Sequence, residues 1–371
     1  MEKEWSDTPK KAGSGKFSKI LSYTVFITWT IITIVPLFWM FYSSFKTNEE
    51  LNRDIFALPK VMFENRNDEY VVINPQLNLM YPYDPAVDKR PRLIIESTEI
   101  APQRRMMVFF PLKEDLSPEV AALKTGDTLT ISQLPANLRM SISLQTMIWN
   151  YSSALIRGGL LQKFVNSLIY TFVSTFFVIL FGLMISFALS KMQFKKLSAV
   201  VMGMIGLGYL ISINSVIIPL FLMLTAVGLT DSHLGIILVY TAFGLPMAVL
   251  LATQFMRGLP NSLIESAYID GASVFRTFLS IILPMTIPVI ITISIMSGLG
   301  IWNEFLLVLV LASSDFTKSL PVGVFSFSSL TGTQLGWQLA ALVIATLPAM
   351  VVYFSFQRKL AEGVAGGALK E

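Results

Sequence analysis

Six stretches of this chain are too apolar to sit in water and too long to be strands. They run from Ile20 to Phe41, Phe164 to Ser190, Leu197 to Thr225, Leu234 to Met256, Met285 to Leu311 and Trp337 to Phe356. Each supplies roughly the 20 residues that a helix rising about 1.5 Å per residue needs to cross a bilayer. Inside a bilayer no water satisfies the backbone, so such stretches must pair their own amides and carbonyls as helices. Charged residues make up 14% of the chain, where a soluble domain carries about 25%. These observations predict an all-α membrane protein with six transmembrane helices.

Charge orients them. Met1 to Lys19 is basic and precedes a run too long for a signal peptide, so the N-terminus is expected in the cytoplasm. The short loop Lys191-Met192-Gln193-Phe194-Lys195-Lys196 and the pair Arg358-Lys359 mark cytoplasmic ends in the same way. Pro36 and Pro219 are expected to disturb the first and third spans near one end. The reading divides the chain into a cytoplasmic N-terminus (1–19), a first span (20–45), an insert (46–163), a five-helix core (164–356) and a cytoplasmic tail (357–371). The insert carries 14 basic and 14 acidic residues and nine prolines. Short β-like runs lie between the prolines: Tyr70 to Ile73, Arg92 to Glu96, Met106 to Phe110 and Thr128 to Ser132. A compact, mostly β extracytoplasmic domain between helices 1 and 2 is expected there.

One polar stretch interrupts the apolar half: Leu259 to Pro284, LPNSLIESAYIDGASVFRTFLSIILP, within a segment running from 257 to 284. Ser262 and Glu265 have the spacing of a capping box, which predicts a helix starting at Ser262. Gly271 is a natural stop, because glycine enters a left-handed cap without strain. A helix of about two turns is unstable alone, so it must rest on something, which suggests a docking surface.

Composition excludes several chemistries. There is no cysteine, hence no thiol catalysis or thiolate metal site, and the single histidine, His233, cannot form a metal cluster. No basic patch interleaved with aromatics points to nucleic acid. Gly13-Ser14-Gly15-Lys16 lacks the first glycine and the Ser or Thr of a P-loop. The chain is therefore expected to bind no cofactor and to be no enzyme.

Glu265-Ser266-Ala267, then Gly271, then Ile281-x-Leu283-Pro284 resembles the EAA motif of ABC importer permeases, with Ser266 where that family usually has alanine. Gly228 to Asp231, Trp302-Asn303-Glu304-Phe305, Leu320 to Gly323 and the tail from Phe356 to Lys370 are similar to the carbohydrate branch, nearest to the smaller permease subunit of maltose-type importers. The resemblance covers residues 17–45 and about 160–371, not the insert.

It implies six helices of the type I ABC importer kind. It also implies a coupling helix seated on an ATPase subunit, with Ser262, Glu265, Ala267, Asp270, Gly271 and Arg276 as coupling residues. Ala267 and Gly271 would allow close approach of the two backbones. The implied partners are a second homologous permease, two ATPase subunits that use ATP and magnesium, and an extracytoplasmic binding protein. That protein would meet the segment from Ser313 to Gln334, with Asp315, Lys318 and Pro321, in the loop from Ala312 to Gly336. Asn214, Asn303 and Glu304 are candidates for the translocation path, Glu304 being the only carboxylate in an apolar run. Two alternatives stay open: a permease of this family for a solute other than sugar, and an ion-coupled secondary transporter, which would need more intramembrane acids.

Overall fold

A computed structural model describes residues 16–46, 48–59, 70–73, 92–98, 106–111, 128–130, 147–156, 158–192, 195–329, 332–333 and 335–368. The P-loop-like stretch before Lys16 lies outside them, as does most of the expected insert.

The long apolar runs are helices. α1 spans Lys16–Ser43 and α2 Asn48–Arg53. Four strands follow: β1 (Tyr70–Ile73), β2 (Arg92–Thr98), β3 (Met106–Pro111) and β4 (Thr128–Thr130). They pair antiparallel in the order β3-β2-β1-β4, with Ile73 opposite Ile95 and Tyr70 opposite Thr130. After α3 (Trp149–Ile156) comes α4, an unbroken helix over Leu160–Lys191. Next are α5 (Lys195–Leu210), α6 (Ile217–Ala226) and α7 (His233–Arg257). Among the described residues four helices are long and apolar enough to span a membrane: α1, α4, α7 and the last, α14 (Leu335–Ala368).

Small residues let α4 and α7 pack closely. A Cβ on Gly182 would lie 3.0 Å from that of Ala248, and one on Gly244 would lie 2.6 Å from Val178 Cγ2. Buried Ser186 donates to Val249 O at 3.1 Å across the same contact. Without a hydrophobic drive inside lipid, close packing and such hydrogen bonds hold helices together. At one end this pair continues into a cluster formed by Leu183, Phe187, Ala252 and Met256 with Ile264, Phe278 and Ile282. Towards the other end, Tyr170, Ile236, Val239 and Tyr240 bury Leu307, Val308 and Leu311.

The third and fifth apolar runs differ from expectation. The third breaks between Leu210 and Ile217, where Ile213–Ser215 form a single 3-10 turn. Pro219 lies inside α6, not at the break. A proline fits the first helical turn because no donor is needed there, but it cannot bond back to a preceding turn, so the helix is interrupted before it. The segment from 257 to 284 and the fifth run after it are in pieces: α8 (Ser262–Ile269), α9 (Val274–Thr277), a π-helical turn over Phe278–Ile282, α10 (Leu283–Met285), α11 (Ile287–Asn303) and α12 (Leu306–Leu311). The chain bends by 75° between Val274–Met285 and Ile287–Asn303. Pro284 and Pro288 flank that bend and remove two helical donors.

The loop expected from Ala312 to Gly336 contains α13 (Leu320–Phe325) and a two-stranded hairpin, β5 (Ser328–Ser329) with β6 (Gly332–Thr333). Pro321 opens α13, where proline is favoured. Both ends of the expected insert are fastened to the helices. Asn150 Nδ2 donates to Ser44 O and Lys46 O, each at 2.7 Å, and Gly336 N donates to Asn48 Oδ1 at 3.0 Å. Buried Lys46 donates to Asp54 O and Ile55 O.

Val178 is fully buried and β-branched, so it has no room to move aside. Gly244→Ala is expected to destabilise the detergent-solubilised protein by about 1–3 kcal/mol. Adding Val178→Ala should recover part of that loss, as measured by thermal unfolding of the single and double variants.

Candidate functional site

Three places gather the candidate residues. The first is the segment between α7 and α11. α8 begins at Ser262, as the spacing predicts, but no capping box forms. The N-cap is Asn261, in helical conformation and without a side-chain cap bond. Its Oδ1 instead accepts from Lys191 Nζ at 2.8 Å, and the same amine donates to Leu259 O at 2.6 Å. The C-terminal reading holds. Gly271 has φ +76°, Gly271 N donates to Tyr268 O and Ala272 N to Ala267 O, the two bonds of a Schellman cap.

α8 has two faces. Ile264 and Ala267 are buried against the helical body, so Ala267 is small in order to seat α8 on its own chain. That departs from the expected role of close approach to another subunit. Ser262, Glu265, Asp270, Gly271 and Arg276 are all exposed. Between them stand apolar side chains that sequence reading passed over: Ile269 is 86% exposed, and Tyr268, Val274 and Phe275 are also open to the surroundings. Nothing lies within 4 Å of a Cβ built on Gly271. The result is a mixed polar and apolar knob, seated through Ile264 and Ala267 and open on its other side.

The second place is where the two broken runs meet. Glu304 is not inside a helix. It caps α11 in extended conformation, and its carboxylate spans the gap. Oε1 accepts from Leu307 N at 2.8 Å, and Oε2 accepts from Tyr240 Oη at 2.9 Å. The carboxylate thus replaces the helical bond that the break removes. Asn303 is exposed, donates to Leu299 O at 2.9 Å, and lines an open groove of about 800 Å³ with Trp302, Phe325, Gln338 and Tyr353. Asn214 is exposed on the 3-10 turn. Its neighbour Ile213 packs on the cluster that holds Leu307, so the two breaks lie side by side.

The third place is the turn before α7 and the segment before α13. Asp231 has φ 51°, a conformation that short polar side chains tolerate best. One oxygen, Oδ1, accepts from Ser313 N, Ser314 N and Ser314 Oγ at 3.0–3.1 Å and also from Thr317 Oγ1. One face of α4 completes the fastening. Asn166 donates to Phe316 O and Lys318 O, Tyr170 to Thr317 O, and Ser167 accepts from Leu320 N. His233 meets Tyr170 at 2.9 Å and carries the exposed ring of Phe316. Asp315 pairs with Lys318 at 2.9 Å and lies 3.7 Å from buried Lys163. The hydrogen bond to Lys318, followed by the charge of Lys163, lowers the Asp315 pKa. Pro321 is half-buried. Asp231 was missed as a site because a lone acid in a turn looks solvated, and its donors come from some 80 residues away.

The hydrogen bond from Thr317, followed by those from Ser314 and Ser313, also holds the Asp231 pKa below its ordinary value, against the opposing effect of burial. A carboxylate with a depressed folded pKa stabilises the protein above its unfolded value of about 3.9, and that contribution is lost as pH falls through the folded value. Asp231→Ala is therefore expected to lower the unfolding temperature by a few degrees at pH 7, with the gap to the unaltered protein closing below about pH 4. Thermal unfolding from pH 3 to 7 measures it.

Residues 148–366 match the family described as binding-protein-dependent transport system inner membrane component. The chain is 32% identical over 223 residues to a diacetylchitobiose uptake system permease protein of Streptomyces coelicolor, covering 60% of this chain and 74% of that one. It is 30% identical over 277 residues to an alpha-glucoside transport system permease protein of Rhizobium meliloti, covering 68% and 72%. In fold it is similar to a chain of a bacterial ABC transporter that imports the acidic polysaccharide alginate, with a TM-score of 0.62, 16% identity, and coverage of 95% and 99%.

Proposed function

The chain belongs to the binding-protein-dependent transport system inner membrane components, and on that footing we propose that it is one permease half of an ATP-driven importer for a sugar or oligosaccharide. The observation that carries the reading is the knob formed by α8 and Gly271. It is braced from within by Ile264 and Ala267 and presents Glu265, Ile269, Asp270 and Arg276 outward. An 86% exposed isoleucine beside exposed Tyr268 and Phe275, ringed by charged residues, has the apolar centre and polar rim of a protein interface. The sugar class follows from the relatives named for diacetylchitobiose and alpha-glucosides.

In this reading the chain crosses the bacterial inner membrane six times, with α5 and α6 sharing one span and α11 and α12 another. Both termini and α8 are cytoplasmic, consistent with Lys191, Lys195, Lys196 and Arg257 lying at the α8 end. Residues 46–163 form a mostly β extracytoplasmic insert between the first and second spans, and β1 to β4 support that part of it. A second homologous permease completes the pore. Two ATPase subunits hold ATP and magnesium, and this chain binds neither. Their closure pushes on Ser262, Glu265, Asp270, Gly271 and Arg276 and tilts the spans. An external binding protein delivers the solute against the segment bearing Asp315, Lys318 and Pro321. Asn214 and Asn303, with free amide atoms, face the solute on its path. Glu304 holds the adjoining helix break in shape.

Purification from native membranes tests this. A second permease and an ATPase are expected to co-purify. Gly271→Asp is the discriminating variant, because aspartate tolerates the left-handed backbone and a Cβ there meets nothing. It should insert normally, while recovery of the ATPase falls about tenfold or more. Full recovery of the ATPase with that variant would rule out α8 as the docking surface.

A further inference from the structure

α4 is fastened at both ends, and by different means. At one end its last residue, Lys191, holds Leu259 O at 2.6 Å and Asn261 Oδ1 at 2.8 Å. Both acceptors lie in the four residues that connect α7 to α8. Asn261 thereby forgoes capping α8 and gives its oxygen to a neighbouring helix. One turn earlier, Phe187 of α4 is buried with Ile264 of α8, its ring 5.4 Å from that of Phe278. At the other end Asn166, Ser167 and Tyr170 bind the backbone of Phe316, Thr317, Lys318 and Leu320.

Between these ends α4 is one helix of 32 residues without proline, about 48 Å long at 1.5 Å per residue. Among the paths beside it, α5 and α6 are interrupted by the 3-10 turn and α9 to α12 by the bend and the Glu304 break, while α7 is continuous and carries an internal proline, Pro246. Apolar contacts such as Phe187 on Ile264 resist separation but not sliding. A charge-assisted pair of hydrogen bonds fixes direction and register.

We propose that Lys191 is a positioning residue that locks the α8 segment to α4. Displacement of α8 is thereby carried along α4 to the segment from Ser313 to Ser319 at the opposite end. The inference rests on the proposed function. It adds a route between the two docking surfaces and a residue that sets it.

The chain has no cysteine, so one introduced cysteine gives it a single labelling site, which is labelled on the purified chain before assembly with its partners. Exposed Ser266 reports on α8 and exposed Ser313 on the opposite end. Each is changed to cysteine, labelled, and studied in the complete transporter in liposomes, before and after ATP, magnesium and vanadate. In the otherwise unaltered chain both spectra should change. With Lys191→Met, the Ser266 label should still respond, while the response at Ser313 falls about fivefold or more, the low end of ordinary coupling. Lys191→Arg, which keeps a charged donor pair, should restore it. Retention of the ATPase on the Lys191→Met transporter establishes that this variant is folded. An undiminished Ser313 response in Lys191→Met would overturn the latch and leave the importer reading intact. Absence of any nucleotide response at Ser266 in the unaltered chain would instead overturn the importer reading, and the latch with it.

Discussion

The structure depends on the close approach of α4 and α7. Gly182 meets Ala248 and Gly244 meets Val178 with no space to spare. Lipid tails are as apolar as leucine, so burial alone does not select this pairing; contact distance and the Ser186 hydrogen bond do. Once the two helices are paired, their ends form two platforms. α8 and the π-helical turn seat on one, and α12 and α13 on the other.

The interruptions are built with equal care. A break in an apolar helix leaves backbone groups that lipid cannot satisfy. At the α11–α12 break Glu304 supplies the missing acceptor and Tyr240 holds its second oxygen. The carboxylate therefore has a structural task before any contact with a solute. The break in the third run packs beside it, so both irregular stretches share one region of the fold. At the far end Asp231 does the same for loop backbone, gathering three donors from residues 313 and 314 and a fourth from Thr317. At these two places side-chain oxygens stand in for regular backbone bonds.

Much of this was legible in the residue order. Apolar runs force helices because a bilayer offers the backbone no other partner, and Gly271 marks the end of α8 because few other residues adopt φ +76°. Spacing and family resemblance singled out polar residues of the segment from 257 to 284 that the structure leaves exposed. What escaped is equally specific. Ser262 and Glu265 have the capping-box pattern, yet Lys191 occupies the N-cap side chain from another helix. Ala267 looked like a contact residue and is an inward one. Ile269 and Phe275, which no pattern along the chain singled out, face outward.

The sequence by itself determined that the long apolar runs are helical and where α8 starts and stops. These are local matters: hydropathy over about 20 residues and a glycine conformation. Tertiary structure alone decided that Lys191 grips Asn261 across 70 residues, that Asp231 gathers donors more than 80 residues away, and that Glu304 bridges a break and a tyrosine. Each of those is a hydrogen bond whose partner is chosen by helix packing. No periodicity along the chain encodes which two distant residues will be brought within 3 Å of each other.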